Sequence, residues 1–372
     1  MSHWVAIWGS APSWVKTTPC RYAKNVTLRY TLRAMLSGSH IRLHLNNLYG
    51  GEDAAFTRVY VQKEDMPALP VTFGGDPRCL LPRGSQVCSD EVALPLLRGE
   101  DYTVSFYLGE LTCLESGTED TGPLCRFAYA EGDHAAEAVL PAFHANAMDT
   151  AYFLDGVDVL TEDDQAHTVC CFGDSITAQS WPDYLALRVL REGREHLSVI
   201  RKGIGGSRVL RQYEYMQHRH YGPKGHDRFA REVSVAGVNR VIILHGINDI
   251  IHPGTNEFRP WSELPTPEAL IDGLRWYIEK GHELGLKVYL GTIMTIKGWT
   301  SYRPEREAVR HAVNDWIRTQ TEADGVVDFD AFCRSSEDPD MRDPRYDRGD
   351  HIHPSLAGAE HMAESVPAAF LD

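Results

Sequence analysis

Single alternation of apolar and polar residues marks the first part of the chain. Val26, Leu28, Tyr30 and Leu32 are spaced by polar neighbours, and Ile41, Leu43 and Leu45 repeat the pattern. A period of two is that of a half-buried strand. Segments 25–32, 41–46, 56–62 and 102–108 all carry it, with turn signals such as Ser37-Gly38-Ser39 and Tyr49-Gly50-Gly51 between them. Short alternating strands punctuated by Gly and Pro predict an all-β, antiparallel, jelly-roll-like sandwich. The stretch 113–133 is polar and rich in turn residues, which predicts an exposed loop. A polar run at Thr161-Glu162-Asp163-Asp164-Gln165 marks a seam and gives two expected domains, 1–162 and 163–372.

Beyond the seam the period changes. Continuous apolar runs at 169–172, 197–200, 241–244, 287–293 and 326–329 alternate with helical patterns. One helix has Thr266 as its expected N-cap before Pro267, with Gly285 just past its end. Another starts at Pro304, presents Val309, Val313, Trp316 and Ile317 on one face, and stops before Gly325. Fully apolar strands alternating with amphipathic helices predict a parallel sheet covered on both faces. Five such units predict a flavodoxin-like three-layer α/β/α domain.

Length and composition agree with two soluble cores. The chain has 372 residues, 43% of them hydrophobic and 24% charged. Its net charge of −15 comes from 37 Lys+Arg against 52 Asp+Glu, without a basic block. Nucleic-acid and anionic-membrane partners are therefore not expected, because both need a basic footprint. No apolar run approaches the roughly 20 residues of a membrane helix. The opening MSHWVAIWGSAPSWVKTTPC lacks a basic start followed by an apolar core, so a cytoplasmic location without a signal peptide is the expectation. The eight cysteines (20, 79, 88, 113, 125, 170, 171 and 333) show no zinc spacing. Cys170 and Cys171 read as buried strand thiols. Cys79 with Cys88, or Cys113 with Cys125, could bridge only in an oxidising compartment.

In an open α/β sheet, ligands bind beyond the carboxyl ends of the strands. Four unusual segments fall there: Gly173-Asp174-Ser175-Ile176, Gly203-Ile204-Gly205-Gly206-Ser207-Arg208, Gly246-Ile247-Asn248-Asp249, and Asp350-His351-Ile352-His353-Pro354. Together they hold what acyl transfer needs. A serine hydroxyl is a weak nucleophile until a base takes its proton. His353 can be that base for Ser175, and Asp350 can accept the other ring N–H and orient the imidazole. The Ser175 and Gly206 backbone N–H groups and the Asn248 amide are candidate donors to a developing oxyanion.

These blocks, in this order and spacing over 168–372, are similar to the signature blocks of the SGNH (GDSL) hydrolase family. The resemblance implies Ser175 as nucleophile, Asp350 and His353 as the rest of a triad, and Gly206 and Asn248 as oxyanion donors beside Ser175. The N-terminal half, through WVAIWGSAPSWV and IRLHLNNLYG, resembles the β-sandwich that precedes the catalytic domain in a two-domain, carbohydrate-esterase-like branch. That implies a serine esterase acting on small, acetyl-type esters of sugars, without a cofactor or metal. A role for the sandwich in carbohydrate contacts, packing or homo-oligomer formation stays open. So do acyl transfer to an alcohol and a non-catalytic carbohydrate-binding role. The chain departs from many relatives at Ala178 after the GDSIT run, in the short 179–181 link, and at Gly205, where serine is frequent.

Each residue also has a plainer reading. Ser175 can be only a helix N-cap, and Asp174 a carboxylate that ties down its turn. The three glycines can be a simple turn, or a phosphate cradle that lacks the P-loop Lys-Ser/Thr. Asn248 and Asp249 can cap the next helix. His351 and His353 with Asp350 form a metal-like HxH pair that no further cluster supports. Arg208, Trp181 and His245 are the candidate substrate contacts. Trp299 and Tyr302 are further candidates for the pocket rim, and His252 for a packing or surface role.

Overall fold

The computed structural model describes residues 1–16, 21–119, 122–141, 150–214 and 216–372. Cys20 lies outside them. The chain divides into two compact units, Met1–Thr168 with Val189–Ile200, and Val169–Arg188 with Arg201–Asp372.

The first unit is built from antiparallel strands: β1 (His3–Gly9), β2 (Val26–Arg33), β3 (His40–Asn46), β4 (Arg58–Lys63), β5 (Leu69–Pro70), β6 (Gln86–Cys88), β7 (Asp101–Leu108), β8 (Cys125–Glu131) and β9 (Leu154–Thr161). One sheet runs β1-β9-β3-β6 and another β8-β2-β7-β4-β5. The alternation in β3 has the meaning the sequence suggests. Ile41, Leu43 and Leu45 are buried, while Arg42 and His44 face the other way and both meet the buried carboxylate of Asp158 at 2.8 Å. Tyr30 of β2 packs edge-on against Phe106 of β7. Its hydroxyl donates to the Tyr152 carbonyl at 3.0 Å and accepts from the Tyr152 N–H at 2.8 Å, so a buried polar group is satisfied twice.

The expectation of one exposed loop over 113–133 is corrected. Strands occupy Thr112–Cys113, Ser116–Glu119 and β8, and β8 pairs with β2 from Cys125 to Glu131. An edge strand has one neighbour and partly covered faces. Cys125 and Ala130 are buried while Phe127, Ala128 and Tyr129 are only half-buried, so no clean period marks it. Cys79 and Cys88 carry free thiols, the first buried and the second exposed.

The second sheet system has strands β10 (His167–Gly173), β11 (Leu197–Gly203), β12 (Val238–Leu244), β13 (Lys287–Gly291) and β14 (Gly325–Val327) in the order β11-β10-β12-β13-β14. The pairings β12/β13 and β13/β14 are parallel. In chain order this is 2-1-3-4-5, the flavodoxin-like doubly wound arrangement. All seven residues of β11 are buried, as a strand covered on both faces requires. The helices are α1 (Ser175–Ala178), α2 (Trp181–Arg191), α3 (Gly225–Val233), α4 (Ile247–Ile251), α5 (Pro267–Glu283), α6 (Pro304–Thr319), α7 (Phe329–Cys333) and α8 (Leu356–Ser365). Among the described residues no helix is long and apolar enough to cross a membrane.

The helix ends follow local chemistry. The Thr266 hydroxyl accepts from the Ala269 N–H at 3.3 Å and caps α5 ahead of Pro267, and Gly285 follows the helix at φ +77°. The run 326–329 is a strand only as far as Val327. Asp328 accepts from the Ala331 N–H at 3.1 Å and starts α7, so Phe329 is helical. Trp181, a candidate substrate contact by sequence, opens α2 with no exposure to water and packs against the Phe329 ring at 5.1 Å. That expectation is corrected: an indole that no solvent reaches fills the core.

Truncating a fully buried aromatic leaves a cavity and costs about 3–5 kcal/mol. Trp181→Ala is expected to lower stability by that order, read as a fall in the chemical-denaturation midpoint of the second unit.

Candidate active site

Tight backbone contacts bring the four sequence blocks to one sheet edge. Gly173 ends β10, where an added Cβ would stand 2.1 Å from the Leu244 carbonyl oxygen at the end of β12. Gly203 ends β11, where a Cβ would lie 2.2 Å from the Ala178 nitrogen of α1. Any side chain at either position would push a strand end away from the turn that carries Ser175.

The cap of α1 is Asp174, whose carboxylate accepts from the Ile176 N–H at 3.1 Å. The N-cap reading of Ser175 is thereby replaced. Ser175 is the first helical residue, and its hydroxyl is directed at His353 Nε2, 2.9 Å away. His353 Nδ1 lies 2.6 Å from Asp350 Oδ2, and Asp350 Oδ1 accepts the N–H groups of Ile352 and His353 at 2.9 and 2.8 Å. Burial pushes the Asp350 carboxyl up, but the bonds from the His353 backbone and ring and from Ile352 outweigh it and hold it below the usual range.

The loop bearing His353 is itself pinned. Asp347 accepts the N–H groups of Gly349 and His351, and its other oxygen meets His351 Nδ1 at 2.9 Å. His351 sits at φ +65°, a conformation uncommon for a side-chain-bearing residue. Arg342 donates to the Ile352 carbonyl at 2.9 Å. The two histidines of the HxH pair thus serve different partners, Asp347 and Ser175. Among the described residues, the group with metal-ligand spacing is Glu307, His311 and Asp340. There the Arg310 guanidinium already contacts Glu307 and Asp340 and supplies the positive charge.

Gly206 has φ +76°, and a Cβ there would lie 1.9 Å from the Tyr221 ring, so conformation and space both require glycine. The Asn248 amide is buried and donates to the Ser207 carbonyl at 3.0 Å, which uses one of its two hydrogens. Its neighbour Asp249 accepts the N–H groups of Val209 and Leu210 at 2.8 and 3.0 Å, tying the segment after the glycine loop to α4. Burial raises Asp249 to about 6. Asp174 is raised further, to about 7, by burial first and then by the nearby Asp249, against the N–H bonds from Ile176 and Gly246.

Two of the candidate substrate contacts have structural partners. His245 is buried, with Ser207 Oγ at 2.9 Å from Nε2 and the Tyr277 hydroxyl at 3.0 Å from Nδ1. Burial and the nearby Arg228 hold it well below its ordinary value. A neutral ring bonded on both nitrogens is part of the packing, so the substrate expectation for His245 is corrected. Arg208 is buried too. It pairs with Glu263 at 2.7 Å, donates to the Gln212 carbonyl and lies over the Tyr213 ring at 4.3 Å. Its guanidinium is committed to the wall, so the expectation of Arg208 as a direct substrate contact is corrected in the same way. Trp299 lies edge-on to His353 at 6.4 Å, and Tyr302 closes the turn that begins there, its N–H donating to the Trp299 carbonyl at 2.9 Å.

Residues that the sequence reading passed over complete the site. Arg228 on α3 donates to the carbonyls of Gly173 and Lys202 and to Ser207 Oγ, pairs with Glu232, and lies over the Phe172 ring at 4.1 Å. In sequence, Arg228 and Glu232 look like an ordinary i,i+4 surface pair. Tyr221, stacked on His252 at 5.5 Å, covers Gly206, and the Tyr213 hydroxyl meets His252 Nδ1.

The sequence model of the GDSL-like lipase/acylhydrolase family matches residues 171–361. Among solved structures, the lipase/acylhydrolase of Enterococcus faecalis is 21% identical, covering 54% of this chain and 93% of that one at a TM-score of 0.40. The acetylxylan esterase Axe2 of Geobacillus stearothermophilus is 21% identical, covering 54% and 91% at 0.39. A GDSL-like lipase of Bacteroides thetaiotaomicron is 17% identical, covering 55% and 87% at 0.37. None of the curated proteins compared matches the chain.

The raised carboxyl of Asp174 has a signed consequence. Its contribution to stability is full below its unfolded value of 3.8 and is lost as pH rises through about 7. Asp174→Asn removes that loss. Urea denaturation across this window is expected to show the variant gaining on the wild type as pH rises, whereas a pH-independent difference would contradict the assignment.

Proposed function

This chain belongs to the GDSL-like lipase/acylhydrolase family, and on that premise we propose that it is a serine esterase removing small acyl groups, acetyl foremost, from O-acetylated carbohydrate. The observation that carries the mechanism is the hydrogen-bonded line from Ser175 Oγ through both nitrogens of His353 to Asp350, at 2.9 and 2.6 Å. In this reading His353 takes the hydroxyl proton as Ser175 attacks the ester carbonyl, and Asp350 steadies the imidazolium that forms. The tetrahedral oxyanion is met by the Ser175 N–H, which as the first of a helix has no intrahelical partner, by the Gly206 N–H, and by the second hydrogen of the Asn248 amide. His353 returns the proton to the leaving alcohol. Water, deprotonated by the same ring, then releases the acid and regenerates Ser175.

A small acyl group is supported by the aromatic walls. Tyr221 covers Gly206 with His252 behind it, and Trp299 stands against His353. The carbohydrate assignment is supported by the likeness of the first half of the sequence to the sandwich of the carbohydrate-esterase-like branch.

Ser175→Ala is expected to lower kcat on p-nitrophenyl acetate by about 10⁴-fold or more, and turnover near the wild-type rate would sink the mechanism. Asn248→Ala is expected to cost about 10²–10³-fold in kcat with little change in KM, the mark of a donor that acts on the transition state. A p-nitrophenyl ester chain-length series is expected to peak at acetate.

A further inference from the structure

The geometry points to a second binding region in the catalytic unit: a cavity of about 520 Å³ beside the glycine loop that receives the neutral sugar residues flanking the acetylated one. This inference rests on the carbohydrate-esterase reading and places the alcohol side of that substrate. The volume lies within the range of about 300–1,000 Å³ usual for ligand sites. Three segments converge on it, 208–214, 224–227 and 258–263.

Its position follows from the chain. Arg208 lines the cavity and is two residues from Gly206, so their Cα atoms are no more than about 7 Å apart. A sugar whose ester carbonyl lies at the Gly206 N–H would have its next residues within reach of the cavity. The segment 208–210 that lines the cavity is held from several sides. Asp249 fixes the N–H groups of Val209 and Leu210, the Gly225 N–H donates to the Arg208 carbonyl at 2.8 Å, and Arg208 pairs with Glu263. Such a wall presents the same surface before and after binding, which lowers the ordering cost of binding.

The lining identifies the ligand class. Arg208, Arg211 and Lys224 stand against Glu214, Asp227 and Glu263, so the formal charge cancels. Arg208 and Glu263 are spent on each other, but Arg211, Glu214 and the Gln212 amide offer donors and acceptors together, which suits paired sugar hydroxyls. Phe258, 50% exposed, adds an aromatic surface to the lining, suited to the C–H face of a pyranose. A protein of net charge −15 repels anionic polymers, and a neutral lining does nothing to offset that. A neutral oligosaccharide meets neither obstacle.

The test uses the full chain and its Phe258→Ala and Arg211→Ala variants, both changed at exposed side chains and checked for folding by circular dichroism. Initial rates of acetate release are measured on acetylated neutral oligosaccharides of one to four sugar residues, on an acetylated oligogalacturonide, and on p-nitrophenyl acetate. The wild type is expected to gain in kcat/KM as the neutral chain lengthens from one to three residues. Each variant is expected to lose at least about tenfold in the ratio of trisaccharide to p-nitrophenyl acetate kcat/KM, through KM. Acetate release without chain-length gain, or with that ratio unchanged in both variants, overturns the cavity assignment and leaves the esterase reading standing. Preference for the anionic oligomer overturns the neutral ligand class. Hydrolysis of p-nitrophenyl acetate with no release from any acetylated sugar overturns the carbohydrate reading and the cavity assignment together.

Discussion

The Arg228 guanidinium has no exposure to water, yet it carries a full charge among strand ends. A buried charge is tolerated only when it is paired and its donors are used. Arg228 pairs with Glu232 and uses both terminal nitrogens on Gly173, Lys202 and Ser207, while its buried Nε has no partner among the described residues. Those acceptors are the end of the strand before Ser175, the end of the next strand and the glycine loop. One side chain therefore fixes the relative positions of the turn that carries Ser175 and the loop that holds Gly206. Removing it would strand several carbonyls and a carboxylate in a dry interior.

The same dryness explains the buried acids. Asp174 and Asp249 are both raised by burial, which costs stability near neutral pH; Asp174 accepts the N–H groups of Ile176 in its own turn and Gly246 in another block, and Asp249 those of Val209 and Leu210. Folding free energy is spent to hold the turn, the glycine loop and the Asn248 helix in register. In contrast, Asp350 is held low by three bonds from its own loop and keeps the charge that His353 needs. Carboxyls of one type take two roles because their surroundings differ.

Close approach is the other constraint. Gly173, Gly203 and Gly206 each face an atom within 2.2 Å of where a Cβ would be, and those atoms belong to β12, α1 and Tyr221. Gly203 and Gly206, which with Gly205 read as a simple or phosphate-binding turn, are sites of dense packing. The lack of side chains at Gly173, Gly203 and Gly206 lets three chain segments converge on Ser175.

The sequence by itself determined the change from period two to strand–helix alternation, the parallel sheet and the four blocks at its carboxyl edge. These are local patterns whose spacing reflects which face of each element is buried. It also marked Ser175, Asp350 and His353 as candidates, because the nucleophile, base and orienting acid of the proposed mechanism need those residue types. What only the tertiary structure decided is how each polar side chain spends its bonds. Trp181 and His245 each read as a substrate contact or a packing group, and only the fold decided for packing, because burial depends on elements distant in sequence. Arg208 turned inward to Glu263 and Tyr213 for the same reason. Arg228 and Tyr221 carried no local signal, since an i,i+4 Arg–Glu pair on a helix has the same pattern in water as in the core. Strand β8 was hidden because an edge strand buries too little of either face to leave a period.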